Sequence, residues 1–153
     1  MKTFWRISKY ADLSGEGGRI ASARWHTQGS AIVYLAESPA GAMLEHLVHL
    51  LYTRLRLPAT YDLLEVRAPD ELAVKDLMPL AEVGWRENLA LTRRIGDAWL
   101  ASGETALART PSAVMPRTWN VLLNPAHPEA AQVRVQEVIR ERFDNRLFRL
   151  GAQ

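Results

Sequence analysis

The stretch from residue 30 to residue 52 constrains this chain more than any other. Residues 30–36, Ser-Ala-Ile-Val-Tyr-Leu-Ala, form a short apolar run rich in β-branched and aromatic side chains, the pattern of a buried strand. Ser38 and Pro39 follow directly, a helix N-cap and a first helical residue whose fixed φ suits that position. The predicted helix runs to about Tyr52, with Leu44, Leu47, Val48 and Leu51 at helical spacing as its core face. At about 100° per residue, Glu45 falls at the margin of that face, where a carboxylate can look into a cleft.

The remaining elements are shorter. Strands are predicted at 3–7, 61–66 and 132–139, a weaker one at 72–77, and an extended segment at 20–25. Residues 11–18 hold Gly15, Gly17 and Gly18 and read as a loop. A second helix is predicted over 85–100, ending near Ser102 and Gly103. Short apolar pieces at 113–115 and 121–123 are ringed by Pro111, Pro116 and Pro125. Short strands interrupted by separated helices argue for an α+β fold rather than a doubly wound parallel sheet. With 153 residues, the whole of 1–153 is expected to be one domain with a core of its own.

Composition excludes several kinds of chemistry. The chain has no cysteine, so a disulfide framework, a zinc–thiolate site and a thiol nucleophile are all ruled out. Lys and Arg number 19 against 17 Asp and Glu, and the arginines are scattered, so direct nucleic-acid binding is not expected. The longest apolar helix contains Glu45, His46 and His49 and is too short and too polar to cross a bilayer. No apolar stretch follows Lys2, Arg6 and Lys9 as a secretory signal would require, so a cytoplasmic protein is expected. His46 and His49 stand three apart beside Glu45, but no third ligand lies at a telling spacing, and no metal site is assigned.

Five pieces in order carry a resemblance. They are Arg6; then Ala23-Arg24-Trp25-His26-Thr27-Gln28-Gly29; then Ile32-Val33-Tyr34-Leu35-Ala36-Glu37-Ser38; then Ala42-Met43-Leu44-Glu45-His46; and last Ser112-Ala113-Val114-Met115-Pro116 with Asn120-Val121-Leu122-Leu123-Asn124-Pro125. Together they resemble the RES-domain family over nearly the whole chain. The resemblance implies an ADP-ribosyltransferase-like core: short, mostly antiparallel strands in two small sheets with flanking helices. It implies that NAD⁺ is the substrate and that no cofactor is needed. It further implies a toxin whose partner, an Xre-type helix-turn-helix antitoxin, covers the active site; a homodimer is implied by the resemblance alone. Arg6, Arg24, Tyr34, Glu45 and Ser112 would be the active-site residues. The family often shows Gly-Arg-Trp-Asn where this chain has Ala23-Arg24-Trp25-His26, which leaves the part played by His26 open.

Those residue types suit cleavage of the nicotinamide–ribose bond. Nicotinamide leaves as a neutral group and needs no proton, so one carboxylate suffices where an ordinary glycosidase needs two. Glu45 would stabilise the ribose as it turns positive. Arg6 and Arg24 would grip phosphate oxygens through their planar forks. Tyr34 offers an aromatic face to the cationic ring, and Ser112 a hydrogen bond to the sugar or amide. The expected activity is NAD⁺ glycohydrolase or phosphorylase. The alternatives are an ADP-ribosyltransferase acting on a protein, which uses the same residues, and a non-catalytic interaction module in which they are only structural.

Overall fold

A computed structural model describes residues 1–53, 58–79 and 82–151. In chain order its elements are β1 (Lys2–Ile7), α1 (Glu16–Ile20), β2 (Val33–Ala36), α2 (Pro39–Thr53), β3 (Thr60–Ala68), β4 (Val74–Asp76), α3 (Leu89–Ser102), β5 (Leu107–Pro111), β6 (Trp119–Leu123) and β7 (Arg134–Arg142). The α+β class is the one expected. The strands form one seven-stranded sheet in the order β4-β5-β6-β2-β1-β3-β7, antiparallel except at β4–β5. Two small sheets were expected; the two halves are instead joined through β1 and β2, which share a single registered pair, Trp5 with Ala36. Past that pair, from Arg6 on β1 and Leu35 on β2, the two strands are unregistered.

Each sheet face has its own core. Phe4, Val33, Leu35, Leu64, Val66, Leu107, Val121 and Leu123 pack on one side. Trp25, Ile32, Trp85, Trp99, Ala108 and Leu122 pack on the other, with Tyr34 against them. The period of two along β2 and β6 sorts these residues: neighbours in sequence go to opposite sides. The outer strand β7 carries Arg134, Glu137, Arg140, Glu141 and Arg142, charges that discourage pairing with another chain at that edge.

Several local expectations meet competing physics. Residues 16–20 are a short helix where a loop was expected, and 20–25 is not a strand; its one bridge joins Ala23 to His26. Gly18 explains the docking of this segment, since a Cβ there would lie 2.5 Å from Ser30 O and 2.7 Å from Ile32 Cγ2. The helix expected over 85–100 is broken at Asn88. A 3-10 turn covers Trp85–Glu87, and Asn88 then caps α3 by accepting from Leu91 N at 3.0 Å. The strand β5 was not foreseen, because Leu-Ala-Arg-Thr-Pro has one β-branched residue and ends in proline.

The N-cap of α2 is where it was expected, with Gly41 N donating to Ser38 Oγ at 3.0 Å. Its buried face is not. Ala42 and Leu50 are buried, and His46, one helical step between them, stacks on Phe143 with ring centroids 6.1 Å apart. Val48 and Leu51, assigned to the core, are exposed. The buried side is the one that Ala42, His46 and Leu50 share at a spacing of four, so the leucine stripe is only partly covered, with Leu44 and Leu47 half-buried.

Candidate functional site

Glu45 is held from two directions. Its Oε1 accepts from Ser112 Oγ at 2.7 Å and from Asn120 Nδ2 at 2.9 Å. These donors come from the end of β5 and the start of β6, 67 and 75 residues away in sequence. Asn120 alternates with Val121 along β6 and so lies on the side that α2 covers. Two donors on one oxygen fix the carboxylate's rotamer, and among the described residues Oε2 has no hydrogen-bond partner.

Ser112 is buried and fully committed. Its one proton goes to Glu45, while its oxygen accepts from Val114 N and Met115 N at 3.1 and 3.2 Å. Its backbone N–H donates to Thr118 O at 2.8 Å. A hydroxyl has one donor and two acceptor sites, so all are used. The sequence reading put Ser112 against the sugar or amide; in the structure its contacts are with Glu45 and the 113–115 turn.

Arg24 sits on the tight turn that Ala23 N and His26 O close. One face of α3 clamps this turn. Thr92 Oγ1 donates to Arg24 O at 2.6 Å, Arg93 Nε donates to Ala23 O at 2.9 Å, and Asp97 accepts from Thr27 N and Oγ1 at 2.8 and 2.6 Å. Gly96 makes this possible, because a Cβ there would fall 1.7 Å from Trp25 O. The Arg24 guanidinium donates from Nη1 to Arg86 O at 2.8 Å and stands over the Trp85 ring, 5.8 Å from its centroid. Burial lowers its pKa, the Glu45 and Glu87 carboxylates raise it and Arg86 lowers it again, so Arg24 and Glu45 act on each other electrostatically.

Tyr34 ends in a hydrogen-bonded chain. Its oxygen accepts from Trp25 N at 3.1 Å and lies 2.9 Å from His26 Nδ1; His26 Nε2 lies 3.0 Å from Gly18 O. A carbonyl only accepts, so Nε2 carries the proton of the neutral ring and Nδ1 accepts from the Tyr34 hydroxyl. Burial pushes the Tyr34 phenol well above its ordinary range, and the proton needed for this chain stays on the oxygen. His26 therefore ties Tyr34 to α1 through both nitrogens.

Arg6 is not brought to this cluster. It alternates with Trp5 and shares the side of Phe4, its strand partner being Leu64. Its Nη1 donates to Asp12 O at 3.1 Å; burial lowers its pKa and the Asp12 charge raises it. The structure thus groups Arg24, Tyr34, Glu45 and Ser112 on one side of the sheet and holds Arg6 to the 8–15 loop. Sequence reasoning gave Asn120 no role, though an amide at the head of the run Val121-Leu122-Leu123 is the polar exception in an apolar strand.

Two cavities of about 610 Å³ lie elsewhere, one walled by Ile7, His46, Leu50, Tyr61 and Arg140, the other by Phe4, Glu37, Asp76 and Arg109. Neither has Glu45, Arg24 or Tyr34 in its wall. The convergence of a fixed carboxylate and a guanidinium, rather than volume, marks the candidate site. Among the described residues no helix is long and apolar enough to cross a membrane.

Comparison with known proteins identifies the family and the fold. The RES domain family matches residues 3–146. The chain is 46% identical over 146 residues to a protein named Toxin Res from Pseudomonas putida, covering 94% of this chain and 98% of that one. It is 38% identical over 161 residues to a protein named Prs ADP-ribosylating toxin from a Sphingobium species, covering 96% and 97%. Among solved structures, the crystal structure of the M. tuberculosis MbcT–MbcA toxin–antitoxin complex matches with a TM-score of 0.73 at 20% identity, over 92% of this chain and 84% of that one. At that identity the match speaks to the fold.

Proposed function

This chain belongs to the RES-domain family, and from that membership we propose that it is the toxin of a toxin–antitoxin pair and breaks the nicotinamide–ribose bond of NAD⁺. The observation that carries the reading is Glu45, pinned on Oε1 by Ser112 and Asn120 and electrostatically coupled to Arg24. As the bond breaks, the ribose becomes an oxocarbenium ion. A carboxylate already fixed next to it stabilises that charge without reorganising. The second oxygen of Glu45 remains for the ribose. Arg24 supplies a planar fork for a phosphate oxygen. The ring of Tyr34, whose hydroxyl is held by His26 and Trp25, supplies an apolar face for nicotinamide.

Water or phosphate as acceptor gives glycohydrolase or phosphorylase activity and depletes NAD⁺. A second reading, ADP-ribosyl transfer to a protein, is favoured by the name of the Sphingobium relative, an ADP-ribosylating toxin. An Xre-type helix-turn-helix antitoxin is the proposed partner, lying over the site and holding the toxin inactive. The similarity to a toxin–antitoxin complex supports an antitoxin partner.

The test is release of nicotinamide from NAD⁺ by the purified, antitoxin-free protein. Glu45→Gln keeps an acceptor for Ser112 and Asn120 but removes the charge, and should lower the rate about 10²–10³-fold. Release at the wild-type rate from folded Glu45→Gln protein would remove Glu45 from the chemistry. Labelled NAD⁺ added with cell lysate separates the two readings, since label carried onto a protein band marks transfer.

A further inference from the structure

We propose that Arg86 is the second guanidinium that binds the substrate's pyrophosphate, beside Arg24, in the place that sequence reasoning gave to Arg6. The inference rests on the dinucleotide reading above and adds a residue to it. Arg24 and Arg86 both stand over the ring of Trp85, 5.8 and 5.0 Å from its centroid, and Arg24 Nη1 donates to Arg86 O. Two guanidiniums are gathered around one buried indole, where the Glu45 and Glu87 carboxylates offset the Arg86 charge at Arg24, and each presents donors suited to a phosphate. Arg86 Nε donates to Ala113 O at 3.1 Å, while Ser112, the residue before, holds Glu45. Arg86 and Glu45 are therefore tied to consecutive residues of one turn. Among the described residues neither Nη of Arg86 has a hydrogen-bond partner, so both remain available as a fork. A pyrophosphate offers one phosphate to each fork, with the ribose directed to Glu45.

Arg86→Gln isolates the fork. The glutamine Nε2 stands at the same point along the side chain as the arginine Nε, so a donor to Ala113 O is retained while the charge and both Nη groups are lost. Calorimetric titration with ADP-ribose should show binding weakened about 10- to 100-fold in Arg86→Gln, the loss expected for charge-assisted hydrogen bonds. Its salt dependence should flatten as well. Arg94→Gln, which removes the same charge from an exposed position on α3, should bind like wild type. Turnover at saturating NAD⁺ should change far less than KM, as expected for a group that binds the pyrophosphate rather than the reacting carbon. Equal ADP-ribose affinity in Arg86→Gln and wild type would overturn the assignment and leave the NAD⁺ reading intact. A wild-type protein that binds no ADP-ribose would sink the NAD⁺ reading. Inorganic pyrophosphate is then the deciding probe: binding lost in Arg86→Gln upholds the paired-guanidinium site, and no binding ends it.

Discussion

Replacing Gly96 with alanine sets two effects of opposite sign against each other, and the structure says which wins. Alanine in the middle of α3 is favoured over glycine by about 1 kcal/mol in helix propensity. Against this, the new Cβ would lie 1.7 Å from Trp25 O, 2.7 Å from Trp25 C and 3.2 Å from Trp25 Cβ. An ordinary contact needs about 3.5 Å, so helix and turn must part by somewhat under ~2 Å. The obstacle is backbone and cannot rotate away. Parting by that much strains the four bonds of Thr92, Arg93 and Thr27 that run at 2.6–2.9 Å between α3 and the Arg24 turn, and should break about two of them. Loss of two such bonds costs about 2 kcal/mol, and overpacking adds about 1–3. After subtraction of the propensity gain, Gly96→Ala should destabilise by about 2–4 kcal/mol. For a chain of this length the melting temperature should fall by on the order of 10 °C. Arg24 moves with the turn, and a displacement of ~1 Å at a binding group costs about 10²-fold in rate, so nicotinamide release should fall by that much in protein that is still folded. Thermal unfolding followed by circular dichroism, with the release assay below the transition, measures both. A variant that melts at or above the wild-type temperature would show that the turn yields freely and that the clamp does not position Arg24.

Other consequences follow from the same contacts. Ser112→Ala or Asn120→Ala removes one of the two donors to Glu45 Oε1 and should lower kcat about 10-fold with little change in KM; an unchanged kcat would mean that the rotamer of Glu45 is set elsewhere. Burial, reinforced by the His49 charge, lowers the His46 pKa from its ordinary 6.5. The unfolded chain then takes up this proton first as pH falls, so that part of the stability is present above about 6.5 and is lost as pH falls towards the folded-state value. His46→Leu should reduce the drop in urea midpoint between pH 7.5 and pH 5, and an undiminished drop would assign the slope to other groups. Asn88→Ala removes the cap on Leu91 N and should cost about 1 kcal/mol in chemical denaturation without affecting nicotinamide release per folded molecule.

The parts of this protein legible in its sequence are those decided within a few residues. Ser38 and Pro39 start α2 because a cap and a preset φ act on the next turn of chain. The run 30–36 pointed to the strand β2, and Gly103 closes α3 where the helix was expected to end. The identities of Arg24, Tyr34, Glu45 and Ser112 as a group also came from the sequence, through spacing that resembles a family. Their connections did not. No local pattern could say that Ser112 spends its hydroxyl on Glu45, that His26 bridges Tyr34 to Gly18, or that Arg6 donates to Asp12 O. Periodicity showed that α2 has an apolar stripe, but the choice of which side meets the sheet is made in the fold, which buries Ala42 and Leu50 and exposes Val48 and Leu51. That choice is a property of the pair of surfaces and of neither sequence alone. The same holds at Gly96, where a residue without a side chain matters only because another part of the chain lies against it. Pairing between strands and contact between a helix and a distant turn are settled by sterics and hydrogen-bond geometry across tens of residues, and only the folded chain brings those groups within range.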